Sequence, residues 1–181
     1  MSDASTSLFD DLLGMVAPTL HDRSGAVFYS GRTAFARSAK LYLLGLNPGG
    51  DPIKQRDKTI ARNIESLRHR ESWSAYADDS WRKRPAGTHG MQPRVLHLLR
   101  RLRMDPRSVP ASNVVFVRSA READLDREKS QLLSLCWKVH AEVIERLDVR
   151  IVICFGRTSY AARTLFATGG QLSSDSDRRS H

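Results

Sequence analysis

The chain has 181 residues, 29 Lys and Arg against 20 Asp and Glu, and a net charge of +9. That is one domain by length, large enough to bury a core, with a basic excess that fits a polyanionic partner, nucleic acid being the commonest. An arginine-rich composition alone gives the same excess. No apolar run is long enough for a membrane span, Met1–Ser7 lacks the basic and apolar regions of a signal peptide, and Cys136 and Cys154 lack metal spacing, so a soluble cytoplasmic protein without metal or cofactor is expected.

The chain begins with a short helix capped by Ser5 or Ser7, its apolar residues Leu8, Leu12, Leu13 and Val16 at helical spacing and its end at Pro18. Ala26–Tyr29 reads as an edge strand. Leu41–Leu46 is an unbroken apolar run, as in a buried parallel strand, and it enters the polar turn Asn47-Pro48-Gly49-Gly50-Asp51-Pro52. Lys54–Arg70 predicts an amphipathic helix with Ile60, Ile64 and Leu67 inward. Residues 71–90 read as a loop carrying Trp73, Tyr76, Trp81 and the basic run Arg82-Lys83-Arg84. Gln92–Met104 predicts a helix burying Val95, Leu98, Leu99 and Leu102. Asn113–Arg118 is the second strand, Leu125–Leu147 the longest helix, Arg150–Gly156 the third strand and Arg157–Phe166 a short helix. Strands alternating with helices imply an α/β fold, a three-layer α/β/α sandwich around a short parallel sheet. The domain is expected over residues 1–167, with 168–181 a disordered tail.

In an open α/β sheet, ligands bind beyond the carboxyl ends of the strands. Asn47 stands there, and its amide can orient a water or meet a base edge. Asp51 either supplies negative charge near a developing cation or caps the next helix. Asn113 either faces the same site or is a turn residue bonded to its own backbone. The stretch from Trp73 to Arg84 pairs aromatic faces with phosphate-neutralising charge, although the tryptophans equally suit a core under a long loop. His69, His89, His97 and His140 have no metal spacing, and Gly156-Arg157-Thr158 suits either a phosphate at a helix start or a plain connection.

Three segments together resemble the uracil-DNA glycosylase superfamily. Gly45-Leu46-Asn47-Pro48-Gly49 is similar to its Asn-Pro-Gly first motif. Ser112-Asn113-Val114-Val115 followed by Arg118 looks like its second-strand segment, and Val152-Ile153-Cys154-Phe155-Gly156-Arg157-Thr158 resembles its third strand and helix start. The resemblance covers residues 41–166. It implies hydrolysis of the N-glycosidic bond of uracil or another damaged base in DNA, after the base is flipped from the stack. Asn47 then matches the residue that orients water, with Asp51 beside it. Asn113 matches the amide that reads the base, Gly45 and Leu46 line the site, and Tyr76 or a tryptophan stacks on the base. Arg82, Lys83 and Arg84 are the expected DNA contacts. Two cysteines are too few for the iron–sulfur branch.

The family's His-Pro-Ser-like second motif is not found, and its strand is expected to be missing, with impaired activity and self-association through the sheet edge left exposed. The alternative reading is a non-catalytic nucleic-acid-binding module that retains the glycosylase site.

Overall fold

The computed structural model describes residues 7–155. Among them the strands are β1 (Leu41–Gly45), β2 (Ala111–Asn113) and β3 (Ile151–Cys154), all parallel, in the order β2-β1-β3. Helices α2 (Ile60–Arg68), α3 (Ala75–Asp78) and α4 (Gln92–Arg101) lie in the β1-to-β2 connection, and α5 (Lys129–Arg146) lies between β2 and β3. A first helix, α1 (Leu8–Gly14), precedes the sheet, and the Ser7 hydroxyl accepts the Asp10 amide at its start. The fold is therefore α/β around a small parallel sheet, as the alternation of apolar runs and helical stripes predicts.

β1 is buried on both faces because its residues alternate between two cores. Tyr42 and Leu44 join Phe9, Phe28, Phe35, Ile60, Val115, Phe116 and the α5 residues Cys136, Val139 and Val143. Leu41 and Leu43 join Tyr76, Val95, Leu99 and Val109. The larger core is centred on three phenylalanines, with Phe9–Phe35 centroids 5.0 Å apart and Phe28–Phe35 centroids 4.6 Å apart.

Several boundaries differ from the sequence reading. The helix expected over 54–70 begins only at Ile60, because Asp51 accepts the Ile53 and Lys54 amides and holds the intervening residues in turns. The Thr59 hydroxyl then caps α2 by accepting the Arg62 amide. Ala26–Tyr29 makes a single isolated antiparallel bridge rather than a ladder strand, Phe28 opposite Ser112. α4 ends three residues early, leaving Leu102 48% exposed instead of inward. The second strand occupies 111–113 rather than 113–118, so Asn113 ends it instead of beginning it. The helix expected over 157–166 and the tail over 168–181 lie outside the described residues.

His140 of α5 is fully buried, between the Tyr42 hydroxyl at 2.9 Å from Nδ1 and the Val114 carbonyl at 3.3 Å from Nε2. A carbonyl only accepts, so Nε2 carries the proton and Nδ1 accepts from Tyr42. Burial pushes the ring's pKa from 6.5 down to about 4, against the backbone carbonyls that favour its charged form. The folded state holds the neutral ring, so the unfolded chain takes up a proton first as pH falls. This stabilisation is complete above pH 6.5, drains between 6.5 and 4, and amounts to on the order of a few kcal/mol. Denaturant titrations across this window will show a midpoint that falls with pH in the native chain and falls less in His140→Gln; equal slopes in both would remove His140 from the account.

Candidate functional site

Gly45 of β1 is paired in register with Asn113 of β2, so the two residues end adjacent strands side by side at the carboxyl edge of the sheet. The chain then continues in parallel beyond the ladder. Val114 and Val115 donate to the carbonyls of Gly45 and Leu46, and Ser119 donates to that of Pro48 at 3.3 Å. The Asn-Pro-Gly-Gly turn after β1 is thereby fastened to the segment after β2.

Asn113 is 5% exposed, and its Nδ2 has no hydrogen-bond partner among the described residues. A buried donor without a partner costs about 1–3 kcal/mol, which makes it rare in folded proteins. Its Oδ1 lies against the bare Cα of Gly45, where a β-carbon would stand only 2.2 Å away. Glycine at 45 is thus a requirement of the Asn113 side chain.

Asn47 is half-buried, and its Nδ2 donates to Ser119 Oγ at 2.9 Å and to the Pro48 carbonyl at 3.1 Å. Because a carbonyl cannot donate, the amide orientation is determined: Oδ1 is the free end, an acceptor with no partner among the described residues. Ser119 is itself held through its hydroxyl to the Arg121 carbonyl at 2.8 Å. Asp51 stands four residues on, its Oδ1 engaged by the Ile53 and Lys54 amides at 2.9 and 3.2 Å. It caps a turn before α2 rather than α2 itself.

An aromatic residue that faces Asn113 is Tyr29. Burial raises the pKa of Tyr29, while the facing Asn113 amide and the charge of Arg118 oppose the rise. By strict geometry Nδ2 has no hydrogen-bond partner among the described residues, and the Tyr29 phenol is the polar group that faces it. Tyr29 stacks on Tyr76 with centroids 5.8 Å apart and meets Trp81 edge-on at 6.4 Å. Tyr76 is only 5% exposed and is sandwiched in this cluster; burial raises its phenol's pKa. Trp73 lies apart from it, under the Arg70 guanidinium at 3.8 Å and bonded through Nε1 to Asp79.

Trp81 carries the cluster outward to Arg82, Lys83 and Arg84, all exposed. Arg82 and Lys83 both have left-handed backbone, with φ of 50° and 60°. Their turn is closed by the Arg84 amide on the Trp81 carbonyl at 3.0 Å and by the Ser80 hydroxyl on the Arg84 carbonyl at 2.6 Å. Gly45, Leu46, Asn47 and Asn113 therefore share the carboxyl edge of the sheet. Tyr76 and the basic run join it through aromatic contacts, and Asp51 lies in the turn that follows. No group of three or more His, Cys, Asp or Glu able to hold a metal occurs among the described residues.

Compared with known proteins, the chain matches no family model and no curated protein.

The close approach of Asn113 to Gly45 is testable by a double-mutant cycle. Gly45→Ala forces the Asn113 side chain to move and is expected to cost about 1–3 kcal/mol. Combined with Asn113→Ala, the same change is expected to cost much less than the sum of the single changes, because the clash disappears. Additive losses in denaturant melts would separate the two residues.

Proposed function

We infer that this chain acts on a base of a nucleic acid strand, hydrolysing its N-glycosidic bond in the manner of a uracil-DNA glycosylase. The observation that carries this reading is a pair of amide groups without partners among the described residues, the Nδ2 of buried Asn113 and the Oδ1 of Asn47, both on segments that leave the carboxyl edge of the sheet, where α/β folds take ligands. An Nδ2 donor suits a carbonyl of a base inserted edge-on. An Oδ1 acceptor suits a water held against the sugar carbon. In the reaction that water's oxygen bonds to C1′ as the bond from C1′ to the base nitrogen breaks, and the departing base carries the electron pair. An amide takes up no proton, so the water's proton passes to solvent and the acceleration rests on positioning and electrostatics.

Support for a DNA partner comes from the exposed basic turn at 82–84, which makes no ion pair among the described residues and joins the site through Trp81. Counterion release by three cations gives a steep salt dependence. The non-catalytic alternative keeps the same contacts and differs only in turnover.

Uracil-containing single- and double-stranded oligonucleotides, followed by alkali cleavage, test the reading directly. Asn47→Ala is expected to remove most turnover with binding nearly intact, since its loss falls on the transition state. Asn113→Ala is expected to relax the choice of base. Binding without base release by the native chain would favour the non-catalytic module, whereas unchanged release by both variants would sink the site assignment. Separately, replacing Arg82, Lys83 and Arg84 by Ala is expected to weaken binding and lower the log–log salt slope by about 2 units for single strands, at roughly 0.7 per phosphate contact. A salt slope identical to that of the native chain would remove the turn from the interface.

A further inference from the structure

Arg118 follows β2 by five residues and is half-buried at the turn that carries Asn47. Its Nε donates to Ser24 Oγ at 3.1 Å and its Nη1 to the Gly49 carbonyl. Both partners are neutral. Among the described residues no carboxylate pairs with it, although Arg23, Arg32, Arg107 and Arg146 each have one. Burial lowers its pKa, and the one charge interaction that opposes this comes from the Tyr29 phenol. A guanidinium has five N–H groups, so most of its donor capacity is unused, that of Nη2 entirely.

Gly50 adds a second, independent observation. It has φ of +115°, and a β-carbon there would stand 2.4 Å from Gln55 Nε2 and 3.4 Å from Arg118 Nη1. Two nitrogen donors therefore converge over a bare glycine, and the side-chain amide of Gln55 makes no hydrogen bond among the described residues. A planar fork with unused donors, a second amide donor and no nearby carboxylate is a set that an oxyanion completes. Tyr29 faces the base-reading amide and lies within electrostatic range of Arg118.

We propose that Arg118, with Gln55 beside it over Gly50, binds a phosphodiester oxygen of the strand whose base is read at Asn113. The proposal rests on the nucleic-acid reading above and names the group by which the strand is positioned. A phosphate seated here fixes the register of the nucleotide, while Asn113 reads its base. It also neutralises a cation that the folded protein otherwise carries half-desolvated without a counter-charge.

The test uses a fluorescein-labelled single-stranded oligonucleotide with one uracil, and the same strand with a neutral methylphosphonate replacing each linkage that flanks it. The native chain is expected to bind one of the neutralised strands about ten-fold more weakly, the size of one charge-assisted hydrogen-bonded contact. Arg118→Gln is expected to bind the native strand about ten-fold more weakly, to show a salt slope shallower by about 0.7, and to be indifferent to the methylphosphonate. Its melting temperature is expected to match or exceed that of the native chain, because a half-buried charge has gone. Arg118→Lys keeps the charge and loses the fork, so it is expected to retain the salt slope with part of the affinity, and it carries the test if the glutamine variant does not fold. Equal methylphosphonate penalties in the native chain and the variant, or a variant that melts lower and binds normally, would overturn the proposal and make Arg118 a strut between the turn and Ser24. Competition by deoxyuridine monophosphate as effective as that by the strand would overturn the assignment to a diester. If base release depends on Asn47 and Asn113 while no linkage matters, only this inference fails. If a linkage matters and no base is released, only the glycosidic reading fails.

Discussion

Two parallel strands end opposite one another at Gly45 and Asn113, and the missing β-carbon of Gly45 makes room for the Asn113 side chain there. That steric allowance governs the site. With any larger residue at 45, Asn113 would have to leave its place at the strand end, and the orphan amide would be lost. The constraint also reaches inward. Asn113 is followed by Val114, whose carbonyl receives the His140 Nε2 proton, and His140 in turn receives the Tyr42 hydroxyl proton from β1. A chain of hydrogen bonds from β1 through α5 to the residue after Asn113 thus holds the strand end in the low-dielectric core, where such bonds are stiff and expensive to break.

Charge is distributed unevenly around this edge. Much of the arginine content is neutralised locally: Arg23 pairs with Glu128 at 2.6 Å, Arg32 with Asp10 at 2.6 Å and Arg146 with Asp11 at 3.1 Å. Pairs this exposed contribute at most about 1 kcal/mol each, and they consume acids that would otherwise offset the basic face. Among the described residues, the exposed turn at 82–84 and the half-buried Arg118 take part in no such pair. The net charge of +9 is in this respect less informative than where its uncompensated part lies.

The α/β architecture was legible because β1 and β3 are unbroken apolar runs and α5 repeats its apolar residues over five turns. β2 was harder to place. The pattern Val114-Val115-Phe116-Val117 has stronger strand character than Ala111-Ser112-Asn113, yet pairing with β1 selects the weaker segment, because register there is decided by which residues meet Gly45 and Leu43. Asn47 and Asn113 could be singled out by type and position. Tyr29, Gln55 and Ser119 could not, since their roles arise from contacts between segments far apart in sequence. Arg118 was visible as part of a segment, but its lack of an acid partner is a property of three dimensions alone. The early end of the α4 stripe at Leu102 has a local cause: Arg103 turns left-handed and the Met104 amide closes back on the Leu99 carbonyl at 2.9 Å, terminating the helix.

That same closure helps separate ordinary strain from strain at the site. Arg103 and Asp148 have positive φ because each follows a helix and the next amide returns to it, Val149 to the Ile144 carbonyl at 3.0 Å in the second case. Left-handed backbone in those positions is a helix stop and calls for no further explanation. Arg82 and Lys83 follow no helix. They hold two consecutive left-handed non-glycine residues, at about 1–2 kcal/mol each, in a turn whose side chains face solvent. The orphan amide of Asn113 and the guanidinium of Arg118, which has no acid partner among the described residues, are two further local costs, and the Tyr29–Tyr76–Trp81 cluster runs from the amide to the turn at 82–84. Sequences that fold well tend to break local rules where function requires it. One strand of nucleic acid would relieve two of these costs together, a base at the amide and a phosphate at the guanidinium, and would give the basic turn its reason for being held outward.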